Sequence, residues 1–245
     1  MITQLHTPSS SSFAGALAAC EDCALKSGTI CARLDRGERA ALHRLGRRRT
    51  VARGQTMLWQ GEVPSSVANV VGGLFKLTAS TSDGREQILG TVGPGAFIGR
   101  IDGRANAFSA VALAPAEVCL FPRETFIAFA ADHPEIGAEM LERALQDLDR
   151  ARRWLLMLGR GSAIERVAAL LLDFAEASPG TRHAFALSRG QMADLAGLTI
   201  ETVSRQLGKL KAAGVIAVPE RDIFEVRDAD TLRAIAGEAP GNGPH

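Results

Sequence analysis

At residue 134 the sequence changes period, and no single uniform architecture accommodates both sides of that change. Between residues 54 and 103 ten glycines, at 54, 61, 72, 73, 84, 90, 93, 95, 99 and 103, separate short apolar runs such as 67–71 and 74–77. Turns that close together suit short antiparallel strands in a small barrel or sandwich. Asp83-Gly84 lies between Leu74-Phe75-Lys76-Leu77 and Gln87-Ile88-Leu89 and is a hairpin signal, since glycine takes the positive φ of a tight turn. A further strand is expected over 116–121, carrying Cys119. From Pro134 the punctuation stops. Leu141, Leu148 and Leu155 recur every seven residues, with Leu145 and Leu158 in the same stripe, the seam of a helix that wants a second helix against it. A helix of roughly 25 residues spans nearly 40 Å, more than one small barrel covers. The seam therefore points to a parallel homodimer rather than to packing on its own strands.

With 46% hydrophobic residues, the 245-residue chain can bury ordinary cores. Its net charge of +1 is uninformative, but the distribution is not: residues 150–211 hold ten Lys or Arg against five Asp or Glu. A DNA binder needs only such a local basic face. No apolar run reaches the length of about 18 residues that spans a bilayer, and the first residues, MITQLHTPSSSSFAG, lack the basic and apolar parts of a signal peptide. A cytoplasmic protein without membrane association is expected. In that reducing compartment Cys20, Cys23, Cys31 and Cys119 are better read as a metal site or plain thiols than as a permanent disulfide.

The most specific pattern lies near the C-terminus. Ser188 with Gln191 three residues later makes a capping box, and Leu187 with Met192 a hydrophobic staple, which starts a helix. Gly197 ends it, and Thr199 caps the next. Two short helices joined by a glycine turn make a helix-turn-helix. In its second helix Ile200, Val203, Leu207 and Leu210 are spaced to share a buried face, leaving Glu201, Ser204, Arg205 and Lys209 outward. Such a set suits a major groove: Arg is bidentate to guanine, Glu accepts from cytosine N4, Ser serves bases or phosphate, and Lys meets phosphate. Apolar runs at 214–218 and 223–226, separated by polar residues 219–222, read as a wing hairpin.

The fold expected is thus α+β: a flexible arm over 1–17, a sensory domain over 18–133 with a cysteine loop and an antiparallel β-barrel, a dimerisation helix over 134–160, and a winged helix-turn-helix over 161–245. A short charged amphipathic helix is expected over 35–48, with Leu34, Ala41, Leu42 and Leu45 on one face. Within the sensory domain, Cys20-Glu-Asp-Cys23, Cys31 and Cys119 can supply four thiolates to one centre, either an iron-sulfur cluster or a tetrahedral zinc. Spacing alone ranks the two equally, and a single CxxC is a weak signal that unconnected thiols also give.

The run Leu198-Thr199-Ile200-Glu201-Thr202-Val203-Ser204-Arg205, with Leu207-Gly208-Lys209-Leu210 and Gly214-Val215-Ile216, resembles the recognition helix and following turn of Crp/Fnr transcription regulators. The resemblance extends from Cys20 to about Ala236 and includes Gly54-Gln55-Thr56, Gly84-Arg85-Glu86-Gln87-Ile88, Gly93-Pro94-Gly95 and Glu165-Arg166-Val167-Ala168. It implies a cyclic-nucleotide-binding-like jelly roll as the sensory domain and a homodimer acting on double-stranded DNA, with RNA polymerase as a further partner. In the Fnr branch a Glu-x-x-Ser-Arg set reads a TTGAT half-site within a palindrome, which carries over to Glu201, Ser204 and Arg205. Fnr-type oxygen sensors hold a [4Fe-4S] cluster through three N-terminal cysteines and one on the barrel, and Val118-Cys119 followed by Phe121-Pro122 resembles the setting of that fourth ligand. The resemblance thus assigns Cys20, Cys23, Cys31 and Cys119 to the cluster, with a Cys23–Cys31 gap longer than in the best-known member, and implies a dimer that loosens when oxygen destroys it.

Three other readings compete. Cyclic-nucleotide-binding relatives share an Arg-Ser pair that holds the phosphate, where this chain has Asn106-Ala107-Phe108-Ser109; Arg100 and Arg104 read better as solvated loop residues than as an anion site. A cysteine-based redox enzyme on Cys20 and Cys23 lacks a partner base, because His6, His43, His133, His183 and His245 are scattered and make no triad or HExxH site. A structural zinc or thiol sensor on the same fold is distinguished by metal analysis.

Overall fold

The computed structural model describes residues 29–176, 182–185, 187–221 and 223–237. The expected N-terminal arm over 1–17, and Cys20 and Cys23 at the start of the expected sensory domain, lie outside these residues. Helix α1 (Arg36–Leu45) opens on Asp35, whose carboxylate accepts from the Glu38 amide at 2.8 Å while the Glu38 carboxylate accepts from the Asp35 amide at 2.8 Å. It ends earlier than the expected 35–48. Gly46 passes so close to the neighbouring strand that a Cβ there would lie 2.4 Å from the Phe121 ring, and the chain continues as a strand, β1 (Arg47–Val51).

Seven more strands follow: β2 (Thr56–Leu58), β3 (Ser66–Gly72), β4 (Phe75–Ser80), β5 (Glu86–Val92), β6 (Phe97–Ile98), β7 (Ser109–Ala112) and β8 (Ala116–Pro122). The Asp83-Gly84 turn joins β4 to β5, with Gly84 at φ 83°. All pairings are antiparallel, and they make two four-stranded sheets, β1-β8-β3-β6 and β2-β7-β4-β5. The expected antiparallel β-barrel of jelly-roll type takes the form of a two-sheet sandwich: among the described residues no ladder joins the edge strands of one sheet to those of the other. What unites them is an apolar layer between the faces, with Val51, Val70, Val118 and Leu120 from the first sheet and Leu58, Phe75, Ala110 and Ala112 from the second. Two sheets that bury only their facing sides need no closure.

Side chains alternate across a strand, and in β8 that rule decides where Cys119 goes. Ala116, Val118 and Leu120 point into the sandwich, so Glu117 and Cys119 point away from it. The outer face of the first sheet is covered by residues 29–34, α1, α2 (Arg123–Asp132) and the start of α3 (Pro134–Arg160), around a second core of Ile30, Leu34, Leu42, Phe126 and Ile136. Cys31 and Cys119 both pack against this core.

Helix α3 has 27 residues, with Pro134 in its first turn, where a missing N–H costs nothing. Its beginning packs on its own chain, with Ile136 and Glu139 buried, and Trp154 rests against the C-terminal core, whereas Leu141 is 62% exposed, Leu155 is 71% exposed, and Leu145, Leu148, Leu156 and Leu158 are open as well. The C-terminal domain contains α4 (Ala163–Glu176), β9 (Arg182–Ala184), α5 (Arg189–Ala196), α6 (Ile200–Ala212), β10 (Ile216–Glu220), β11 (Ile223–Val226) and α7 (Ala229–Ile235). Its strands pair in the order β10-β11-β9, so the wing expected as a hairpin is a three-stranded sheet. Leu74, Ile88 and Leu113 of the sandwich join the domain's own apolar core, and the Gln87 side-chain amide donates to the Asp194 carbonyl at 3.3 Å. Among the described residues no helix is long and apolar enough to cross a membrane.

Candidate nucleic-acid interface and thiol cleft

The second helix of the pair, α6, is placed by a chain of local hydrogen bonds. Ser188 Oγ accepts from the Gln191 amide at 3.2 Å, and Gln191 Oε1 accepts from the Ser188 amide at 3.0 Å, so the capping box starts α5. Gly197 closes α5 in the left-handed region at φ 61°, ψ 43°, a conformation glycine adopts without the penalty a Cβ carries. Thr199 Oγ1 then accepts from the Thr202 amide at 3.2 Å and starts α6. From α4, Arg166 donates to the Ala196 carbonyl at 3.1 Å and to the Gly161 carbonyl at 3.0 Å, pinning the turn to the end of α3.

Val203, Gln206, Leu207 and Leu210 form the buried face of α6. Glu201, Ser204, Arg205 and Lys209 are all exposed, three and four residues apart on one stripe. The carboxyl of Glu201 is held below its ordinary range, first by the free backbone N–H at the helix start and then by the Thr199 hydroxyl, as the positive end of a helix favours an anion. It therefore stays an acceptor, as pairing with a cytosine amino group requires. The Arg205 guanidinium lies against Thr202 Oγ1 at 3.4 Å.

Two residues differ from the sequence expectation. Ile200, placed on the buried face by its spacing, is 51% exposed, because it occupies the first turn, beyond the layer where Val203, Leu207 and Leu210 pack; its Cδ1 lies beside Gly190 at the start of α5. Gln206 is buried in its place. An open methyl surface beside the outward polar set is suited to the methyl group of thymine. Arg221, in the turn between β10 and β11, is exposed at the tip of the wing, where phosphate contact is available; spacing offered no signal for it.

On the sandwich, Cys31 and Cys119, distant in sequence, line one small cleft together with His43, Arg39, Arg47 and Arg48. The Cys31 amide donates to Thr29 Oγ1 at 3.2 Å, which shapes the turn before α1. Burial, reinforced by the charge of Arg48, pushes the His43 imidazole below its ordinary pKa. Arg48 is ion-paired with Glu117 at 3.0 Å, and among the described residues no group of three His, Cys, Asp or Glu side chains is gathered that could hold a metal; the cleft offers two soft sulfur donors, half of what a four-thiolate centre needs. Of the four cysteines, these two are brought together by the fold, while Cys20 and Cys23 are outside the described residues. Arg100 and Arg104 both engage Asp102, at 2.9 and 3.8 Å, and buried Asn106 donates its side-chain amide to the Trp59 carbonyl at 3.2 Å.

Comparison with known proteins joins these halves. A Crp-like helix-turn-helix domain matches residues 165–235, and a cyclic nucleotide-binding domain matches residues 48–133. The transcriptional activator protein FnrL of Cereibacter sphaeroides is 36% identical over 233 residues, 91% of this chain and 94% of the relative. The chain belongs to the Crp/Fnr family. A second family member, the nitrogen fixation regulation protein FixK of Bradyrhizobium diazoefficiens, is 38% identical over 205 residues, 81% of this chain and 86% of that one. The structure of FixK2 from Bradyrhizobium japonicum superposes with a TM-score of 0.71 at 27% identity, covering 79% of this chain and 98% of that chain. Like its Crp/Fnr relatives, the chain is a DNA-binding transcription regulator of the Fnr/FixK type and not an enzyme.

Proposed function

We propose that this regulator is a cytoplasmic, oxygen-responsive activator that pairs through α3, holds a [4Fe-4S] cluster on Cys20, Cys23, Cys31 and Cys119, and binds a palindromic TTGAT-type site at low oxygen. The observation that carries the reading is the shared cleft of Cys31 and Cys119, which brings two of the four thiols to one place on the helix-covered face of the sandwich. When bound, the cluster supplies an oxygen-labile cross-link between the segment before α1 and strand β8.

The chain's own residues do the rest. The open leucine face of α3, led by Leu141, Leu148 and Leu155, matches the same face of a second copy. Pairing sets two α6 helices about one DNA turn apart, roughly 34 Å. Glu201, Ser204 and Arg205 then meet base edges, Lys209 meets phosphate, and RNA polymerase is the partner that the activator names of the relatives suggest. Occupancy of two half-sites depends on pairing, so weakening the seam empties the operator.

Purification without air, with iron, sulfide and zinc measured per chain, tests the reading. The expected result is about four irons per chain, a visible sulfide-to-iron absorption that bleaches in air, and operator binding that disappears with it. A colourless protein containing zinc, or operator binding indifferent to air, overturns it.

A further inference from the structure

The segment that carries Cys31 is tied directly to the long helix. Arg33, two residues beyond Cys31, donates from Nε to Glu139 Oε2 at 2.9 Å and lies 2.5 Å from Glu142 Oε2. Glu139 is only 8% exposed. Its other oxygen accepts from Arg143 at 2.8 Å, and Arg143 also donates to the Gly95 carbonyl at 2.8 Å, so the network reaches the turn before β6. Glu142 is the exposed member, one residue past Leu141 and three before Leu145. With Leu141 and Leu148 at one seam position and Leu145 at the other, Glu142 takes the flanking position where charges govern helix pairing. Its ion-pair partner among the described residues is Arg33.

We propose that Arg33 is the positioning residue through which the cysteine segment controls subunit pairing: it cancels the charge of Glu142 beside the seam and completes the bonding of buried Glu139. This rests on the reading that α3 pairs and that the cysteine segment responds to oxygen. Displacing that segment takes Arg33 from both carboxylates at once. Glu142 then brings an uncompensated negative charge to each copy of the seam, and buried Glu139 keeps Arg143 alone. The uncompensated charge of Glu142 is what opposes pairing, without any leucine of the seam having moved.

The test uses the full chain, prepared without air, with three variants: Arg33→Gln, Glu142→Gln and the double variant. Iron content, visible spectrum and monomer–dimer dissociation constant are measured, the last by sedimentation at low and high salt. Arg33→Gln is expected to keep its iron and spectrum while its dissociation constant rises about tenfold, with partial recovery at high salt, where exposed charges are screened. The double variant is expected within about threefold of the wild type. Glu142→Gln alone is expected to pair more tightly than the wild type after exposure to air. Unchanged pairing in Arg33→Gln, a double variant as weak as the single one, or a loss of pairing that merely follows loss of iron overturns the proposal. A wild-type chain whose pairing ignores air removes instead the reading beneath it.

Discussion

Trp154 donates its indole N–H to Asp173 Oδ2 at 3.2 Å, and this bond, with Arg150 on Asp173 Oδ1 at 2.7 Å, fastens the last turns of α3 to α4. This joint ties α3 to the domain that carries the helix-turn-helix. Asp173→Ala leaves an indole N–H and a guanidinium without their acceptor, at a cost of about 1–3 kcal/mol. Urea unfolding should show that loss, and operator affinity should fall further than stability alone explains.

On α6, the proposed base-edge and phosphate contacts separate by their signatures. Arg205→Ala should cost about 1–3 kcal/mol on the cognate site and relax preference at one base pair, whereas Lys209→Ala should weaken all sequences alike and reduce the salt slope by about one. Anisotropy titrations on a set of single-base site variants at several salt concentrations check both. Ile200→Ala should lower the preference for thymine at its contact position and leave the salt slope unchanged.

The cleft that holds Cys31 and Cys119 depends on Gly46. A Cβ added there falls 2.4 Å from two Phe121 ring carbons and 3.0 Å from the Leu120 carbonyl oxygen. Gly46→Ala should therefore force Phe121 aside and lower stability by about 1–3 kcal/mol, read as a lower urea midpoint. Iron retention should fall in the same variant, because Phe121 lines the cleft.

Asp102 carries the clearest acid signature. Arg100, with the Arg104 amide assisting, holds its carboxyl down to about 2. A folded-state pKa below the ordinary carboxylate value of 3.8 means that its stabilisation is complete above that value and fades as pH falls toward 2. Carboxyl NMR titration should place the midpoint there, and Arg100→Ala should return it toward 3.8.

What the sequence made legible follows from the range of the interactions involved. The helix-turn-helix was readable because Ser188, Gln191, Gly197 and Thr199 act on neighbours within a few residues. Strand β1 was not: Arg47, Arg48, Arg49 and Thr50 are all exposed, so a polar edge strand shows no alternation and reads as the tail of a helix. Barrel and sandwich stayed alternatives for a related reason, since glycines mark where the chain turns but not which edges meet. Ile200 fits the helical period and is exposed nonetheless, because period ignores where a partner helix ends. Arg33 and Glu139 are far apart in the chain, and only the packing of α3 beside the cysteine segment brings them together.

The alternation of β8 limits how this regulator can evolve. A single inserted or deleted residue before position 119 exchanges the two faces, delivering a valine or a leucine to the sulfur's place and sulfur to the oily interior. Replacing Cys119 therefore changes the helix-covered face alone, whereas lengthening or shortening this strand by one residue wrecks both compartments together.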